Sequence, residues 1–480
     1  MTVTRAEWIP EGPAPAAPGG PASSVRLPAH CRLEGEIDRR TGAGGVSFGI
    51  RFAVALPGNW NGRFLLQGGG GLNGSVQPPL GGSAAGSEPA LARGFAVAST
   101  DTGHEGKNAF DASFLADQQA SLDFAYAAIG RVAEAAKRIV AQHYGKPAEH
   151  SYFTGCSTGG REGMLMAQRY PGYFDGVVVG APAMRTSFSG IGDRWVAVTL
   201  NEAAPKDAKG TPITREVFSE SDRKAIIEGV LGACDGADGI KDRMIFNPTA
   251  CRFDPETLVC KGPKAEGCLN EAQAAALKKA FAGPKDSRGR QVYPGFFFDT
   301  GIAATQGIPG LLAGGSNPVG PAFTEIGMDV DAAVDRALGD PGESLTATSR
   351  WTNLNTFSGH GGKLIFWHGT SDPWFSALDT LGYYERMAKA NGGLEQVRNW
   401  SRLYLVPGMG HCGGGPETLD RFDALSAIVD WVEHGTAPES LTATGRGFPG
   451  RSRPLCAYPL HAQYKGQGDP EDAKNFECRP

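Results

Sequence analysis

The chain has 480 residues, 41% of them hydrophobic and 20% charged, with a net charge of -5. That composition belongs to an ordinary globular protein and leaves room for two domains or one domain with a large insertion. It excludes the strong basic excess of a nucleic-acid binder, and no polybasic run addresses an anionic membrane. No apolar stretch approaches the roughly 18–20 residues that span a bilayer.

In chain order, residues 1–25 are rich in Pro, Ala and Gly and lack an apolar signal core. They read as a disordered lead without a secretory signal as written. Alternating or continuous apolar runs then predict strands at 48–56, 63–67 and 95–99, and an Ala-rich amphipathic helix at 121–143. Strands follow at 151–155 and 176–180, with a helix at 160–170 between them. After a long interruption come strands at 363–368 and 402–406 and helices at 377–391 and 419–434. Strand alternating with helix predicts an α/β fold with a mostly parallel sheet covered on both faces. The interruption, 184–357, carries many Gly and Pro and four of the nine cysteines, and predicts an inserted lid domain. It divides a catalytic domain of 26–183 and 358–480.

Residues 152–163, "YFTGCSTGGREG", place Ser157 in a G-x-S-x-G pattern between a predicted strand and a predicted helix. That is the setting of a nucleophile elbow, where small flanking residues permit a strained turn and the helix N-terminus favours negative charge. In a chain with 69 glycines a serine in an ordinary tight turn would give the same pattern. The fold that uses this elbow requires an acid and then a histidine, each on a loop after a strand. "KLIFWHG" is followed by Asp372, and "RLYLVPGMG" by His411. His368 competes as the base, but it precedes the acid at a strand end and reads better as a packed or capping histidine. His104 could line the pocket.

Cys156 precedes the serine and Cys412 follows the histidine. If the two catalytic side chains meet for proton transfer, their neighbours come within disulfide reach; two buried free thiols are the alternative. Cys234 with Cys251, Cys260 with Cys268, and Cys456 with Cys478 are closely spaced and form no C-x-x-C zinc pairs. They read as short-loop disulfides, which imply an oxidising compartment and a secreted or periplasmic protein.

Gly68-Gly69-Gly70-Gly71 follows the strand "RFLLQ", where an oxyanion loop is expected. With it, the N–H of Thr158, the residue after the nucleophile, would supply the second donor. Asp235, Asp238 and Asp242 offer three hard oxygen ligands within eight residues, either a solvated acidic turn or a Ca2+ loop that is not an EF-hand. Trp374 and Phe375 follow the acid and could stack an aromatic acyl group or simply pack in the core.

The motifs "LPAHCRLEG", "NWNGRFLLQGGGG", "GCSTGGREG", "SDPWFSALD", "GMGHCGGGP" and "RSRPLCAYPLHAQYKGQGD" cover nearly the whole chain. In them the sequence resembles the tannase and feruloyl esterase family of α/β-hydrolases, which includes mono(2-hydroxyethyl) terephthalate hydrolases. The resemblance implies a serine esterase with the triad Ser157, Asp372 and His411 and a Cys156–Cys412 disulfide. It also implies the other three pairings, which leave Cys31 as a free thiol. It points to Gly71, with Gly70 next, as the oxyanion donor beside Thr158, and to Phe375 as a pocket residue. It further implies a structural Ca2+ in the lid, bound by the three aspartates and the carbonyls of Ile240 and Met244. The segment 291–335 has neither Arg nor Lys to grip a second carboxylate. Neutral-ended aromatic esters of the feruloyl or gallate type are therefore the expected substrates, with terephthalate monoesters as the alternative. A peptidase or acyltransferase, an inactive hydrolase-fold binding protein and a calcium-dependent adhesion module are the competing functions. The expected partner is a small aromatic ester, neither nucleic acid nor membrane.

Overall fold

The computed structural model describes residues 1–15, 24–313 and 320–480. Its first element corrects the expectation of a disordered lead: Thr2–Ile9 is a strand, β1, paired antiparallel with β2, His30–Thr41. The residues rich in Pro, Ala and Gly begin only after Ile9, whereas "TVTRAEWI" mixes β-branched, aromatic and charged residues as an edge strand does. Its Arg5 and Glu7 pair on the exposed edge. Residues 16–23 of the expected lead lie outside the described residues.

The chain continues through β3, Ser47–Pro57, β4, Arg63–Gln67, and β5, Ala96–Thr100. Helix α1, Ala128–Tyr144, then leads into β6, His150–Cys156, α2, Thr158–Gln168, and β7, Gly176–Gly180. Among the described residues nine strands form one sheet, ordered β1-β2-β3-β5-β4-β6-β7 and continuing into two later strands. These are β8, Lys363–Gly369, and β9, Ser401–Val406. Pairing is antiparallel from β1 to β5 and parallel from β5 to β9. An antiparallel start and a parallel remainder with crossover helices is the α/β-hydrolase arrangement.

Period-two alternation builds both faces. In β8, Leu364 and Phe366 pack with Phe153, Val132 and Ile139 of α1, while Ile365 and Trp367 pack with Tyr152, Val178 and Ile428 on the other side. The expected helix at 121–143 begins earlier, at Gln118, and contains one π turn, Asp123–Ala127. Carbonyls of that turn, Phe124 and Ala125, accept from the buried Arg161 of α2 at 3.0 and 2.7 Å. The helix expected at 419–434 starts only at Ala424, because the Asp423 side chain caps it by accepting from Ser426 N–H at 2.9 Å.

Between β7 and β8 the chain forms an insert whose regular elements, among the described residues, are all helical. Its main helices are α3, Thr186–Leu200, α4, Glu220–Cys234, α5, Glu271–Ala282, and α6, Val330–Gly339. Val196, Ile226, Val230, Leu277, Phe281 and Tyr293 give the insert its own apolar core. The two longer helices that follow in the sheet domain are α7, Ala377–Ala390, and α8, Ala424–His434.

Candidate active site

Ser157 stands between β6 and α2 with φ of 64° and ψ of -123°. A non-glycine residue holds such a backbone only where its surroundings fix it. Its N–H donates to Gly180 O at 3.1 Å, and its carbonyl accepts from Arg161 N–H and Ala183 N–H, both at 3.0 Å. The turn is pressed against the glycine run: a Cβ on Gly159 would lie 2.7 Å from Gly69 O, so only glycine fits. Gly159 N–H donates to Gly69 O at 3.1 Å, and the Thr158 hydroxyl donates to Gly71 O. Gly71 itself has φ of 57°, and a Cβ there would meet Ala109 O at 2.3 Å. Glu162, buried on α2, accepts from Gly69 N–H at 3.0 Å and from the Asn73 amide at 2.7 Å. The elbow and the Gly68–Gly71 run are thus one hydrogen-bonded unit.

Across the cleft, Asp372 and His411 are both buried. His411 Nδ1 lies 2.7 Å from Asp372 Oδ2, and an ionised carboxylate only accepts, so Nδ1 carries the proton. Asp372 Oδ1 accepts from the N–H groups of Trp374 and Phe375 at 2.9 and 3.0 Å. Burial alone would raise the Asp372 pKa, but the facing His411 and His368 override it and hold the carboxyl well below its ordinary range. His411 Nε2, left as the lone-pair nitrogen, packs 3.5 Å from Cys412 Sγ. Ser157 Oγ makes no hydrogen bond to it in this structure; the Cys156–Cys412 disulfide, with Cα atoms 5.9 Å apart, joins their neighbours.

His368 has a role that order and strand position alone did not reveal. It is fully buried, its Nε2 lies 3.2 Å from Asp372 Oδ2 and 2.9 Å from Phe375 O, and its Nδ1 lies 2.8 Å from Thr380 Oγ1. It braces the acid from behind and has no path to a substrate. His104 is buried against Phe114 at 3.8 Å between ring centroids, with neither ring nitrogen hydrogen-bonded, and burial pushes its pKa down to about 4. Trp374 and Phe375 flank the His411 imidazole at 4.8 and 5.2 Å between centroids, and both are half-buried.

All four expected cysteine pairs are bonded, and Cys31 is free. Among the described residues no helix is long and apolar enough to cross a membrane.

The three acidic residues of the insert loop are not drawn together as a ligand shell; among the described residues no group of three or more metal-binding side chains converges. Asp235 accepts from the N–H groups of Asp242, Arg243 and Met244 at 3.2, 3.0 and 3.2 Å. Asp238 accepts from Ile240 N–H at 3.2 Å through Oδ1, while its Oδ2 is sealed with no partner. Burial, and then the charges of Asp242 and Asp235, push the Asp238 carboxyl up to about 8. Asp242 is held at 2.5 Å by Arg453, which sequence reasoning missed because the two lie 211 residues apart. Of the three aspartates, Asp238 alone has a sealed carboxylate oxygen without a hydrogen-bond partner.

The tannase and feruloyl esterase profile matches residues 31–313 and 323–479. The chain is 38% identical to the mono(2-hydroxyethyl) terephthalate hydrolase of Piscinibacter sakaiensis over 95% of this chain and 86% of that protein. It is 32% identical to a probable feruloyl esterase of Arthroderma benhamiae, covering 88% and 81% of the two. The fold superposes on the crystal structure of feruloyl esterase B from Aspergillus oryzae with a TM-score of 0.79 at 27% identity, covering 100% of this chain and 96% of that one. A nucleophile elbow, a buried Asp–His pair and these matches along nearly the whole chain lead to one conclusion: the chain belongs to the tannase and feruloyl esterase family and is a carboxylic ester hydrolase.

Proposed function

We propose that this protein is a secreted serine esterase that hydrolyses neutral-ended aromatic esters of the feruloyl or gallate type through Ser157, His411 and Asp372. The observation that carries the reading is the disulfide joining Cys156 to Cys412, which ties the elbow serine to the loop of a histidine already gripped by Asp372. Ser157 Oγ attacks the ester carbonyl as His411 Nε2 takes its proton. Asp372 holds the Nδ1–H and stabilises the imidazolium. The N–H groups of Thr158 and Gly71 receive the oxyanion; both residues belong to the hydrogen-bonded unit at the elbow. The alcohol leaves with the proton from His411, and water repeats the sequence on the acyl-enzyme. Trp374 and Phe375 offer aromatic faces to the acyl ring.

Two arginines at the insert face are already committed. Arg185 grips Asp379 at 2.9 Å and Arg194 grips Glu325 at 2.8 Å. This favours uncharged acyl groups. The 38% identity to a protein named mono(2-hydroxyethyl) terephthalate hydrolase favours the second reading, a terephthalate monoester substrate. Turnover of methyl ferulate, methyl gallate and mono(2-hydroxyethyl) terephthalate, with Ser157→Ala as the blank, decides between them. A higher kcat/KM on the terephthalate half-ester would overturn the neutral-ester reading.

A structural Ca2+ in the insert loop would be held by Asp235, Asp238 and Asp242 and the carbonyls of Ile240 and Met244, and since the three side chains do not converge in this structure they would have to draw together around the ion. The sealed, partnerless Oδ2 of Asp238 supports this, because a buried carboxylate without a counter-charge is costly. The ion would add cohesion to the insert and no chemistry to the ester. Four disulfides support an oxidising, extracytoplasmic location.

A further inference from the structure

The insert meets the segment that follows β8 at two outer points. Arg185 grips Asp379 of α7 at 2.9 Å, and the Tyr293 hydroxyl accepts from Ser376 N–H at 3.0 Å. A third contact lies deeper. Phe298 of the insert is followed by Asp299, which is 0% exposed. Its Oδ1 accepts from Thr300 N–H at 2.7 Å. Its Oδ2 accepts from Gly408 N–H at 2.8 Å and from the Thr370 hydroxyl.

Those last two donors stand on different loops. Thr370 is the first residue after β8 and lies two before Asp372; Gly408 is the second after β9 and lies three before His411. The last ladder pair of the two strands is Gly369 with Val406. Beyond it the loops are joined directly by Thr370 N–H to Val406 O and Ser371 N–H to Met409 O, both at 3.0 Å. Asp299 adds a fork that reaches into both loops. The fit around it is tight: a Cβ on Gly301 would lie 2.3 Å from Gly408 O and 2.6 Å from Ser371 Cβ, so this segment of the insert is wedged between them.

A buried carboxylate is a costly way to fill such a space. None of its three donors is a cation, and burial pushes its pKa up against the pull of their hydrogen bonds. An apolar side chain would serve packing better, but it could not accept from two loops at one atom.

We infer that Asp299 is a positioning residue of the triad: one carboxylate oxygen, supplied by the insert, clasps the acid loop to the histidine loop and sets the register in which Asp372 meets His411. The assignment rests on the Ser157–His411–Asp372 reading and is independent of which ester is preferred. His368 braces the Asp372 side chain from behind. Asp299 acts one step earlier, on the loops that carry the acid and the base.

The test is kcat and KM of Asp299→Ala, Asp299→Asn and Thr370→Val, with a thermal melt of each variant. The substrate is whichever of methyl ferulate, methyl gallate and mono(2-hydroxyethyl) terephthalate the wild type turns over fastest. Each substitution is also made in an Asp372→Asn background, where no carboxylate is left to position. Asp299→Ala should lower kcat by about 10- to 100-fold in the wild-type background, with KM changed less than about threefold. In the Asp372→Asn background the same change should cost less than about threefold further. Asp299→Asn keeps an oxygen that accepts from both loops and should recover most of the kcat. Thr370→Val removes one arm of the fork and should fall between the two; it carries the same comparison where Asp299→Ala does not fold. Equal losses in both backgrounds would mark a general structural tie, and an unchanged kcat would mark no tie; either result would overturn the assignment alone. Turnover that survives Ser157→Ala, or none by the wild type, would overturn the triad reading and the assignment with it.

Discussion

The two walls of the active site are built differently. On the sheet side the supporting groups are pinned: the elbow carbonyl by two N–H donors, the glycine run by Gly159 and Glu162, the histidine by Asp372, and the whole by a disulfide. On the insert side the fastening runs through Arg185, Tyr293 and Asp299, and Asp193 on α3 has a sealed Oδ1 with no hydrogen-bond partner. The difference separates tasks. Bond breaking needs donors and proton carriers fixed to within tenths of an ångström, and the rigid sheet edge supplies them. Beyond its fastening points the insert, with an apolar core of its own, can vary without disturbing those donors and carriers.

The largest break in this comparison is on the sheet side. Ser157→Ala should lower kcat on the preferred ester by about 10^4-fold or more while the melting temperature stays unchanged. Asp372→Asn should cost about 10^4-fold, because Nδ1–H loses the carboxylate that fixes its tautomer. A loss below tenfold would mean that His368, the second imidazole on that carboxylate, can hold the geometry alone.

Next comes the disulfide. Replacing Cys156 and Cys412 together by alanine should cost about 2–5 kcal/mol of stability, measured by denaturant melts. Because the bond ties the Ser157 elbow to the His411 loop, activity should fall at denaturant concentrations where the fold still stands. Coincident loss of both would make the bond a general staple only.

A smaller effect is expected from Glu162→Ala, which leaves Gly69 N–H and the Asn73 amide unpaired. The loop would loosen, and kcat should fall by less than the roughly 10^2–10^3-fold that deletion of an oxyanion donor produces, with KM little changed. The smallest effect belongs to the aspartate loop of the insert. Chelation should lower the melting temperature by about 2–4 °C and leave kcat of the surviving fold intact, and Asp238→Asn should remove the sensitivity to chelator. Direct loss of kcat in folded, metal-stripped protein would join the insert loop to the chemistry.

The same division decides what could be read from sequence. Sheet strands such as "KLIFWHG" declare themselves by continuous apolar runs, and the places of Ser157, Asp372 and His411 just after strands follow from strand order. Thr2–Ile9 was hidden by the Pro- and Gly-rich residues after it, since its partner strand lies across a long gap in sequence. The π turn at Asp123–Ala127 leaves no mark on the apolar periodicity, and the buried Arg161 that its carbonyls accept from lies on another helix. The bracing role of His368, the grip of Arg453 on Asp242 and the isolation of Asp193 are tertiary facts of the same kind. None has a local pattern, because each depends on which distant side chain is or is not present.

The most direct test of the account is kcat/KM on methyl ferulate, methyl gallate and mono(2-hydroxyethyl) terephthalate with the Ser157→Ala protein as the blank. The account predicts serine-dependent turnover that favours the ferulate or gallate ester. Preference for the terephthalate half-ester, or turnover that survives the substitution, would contradict it.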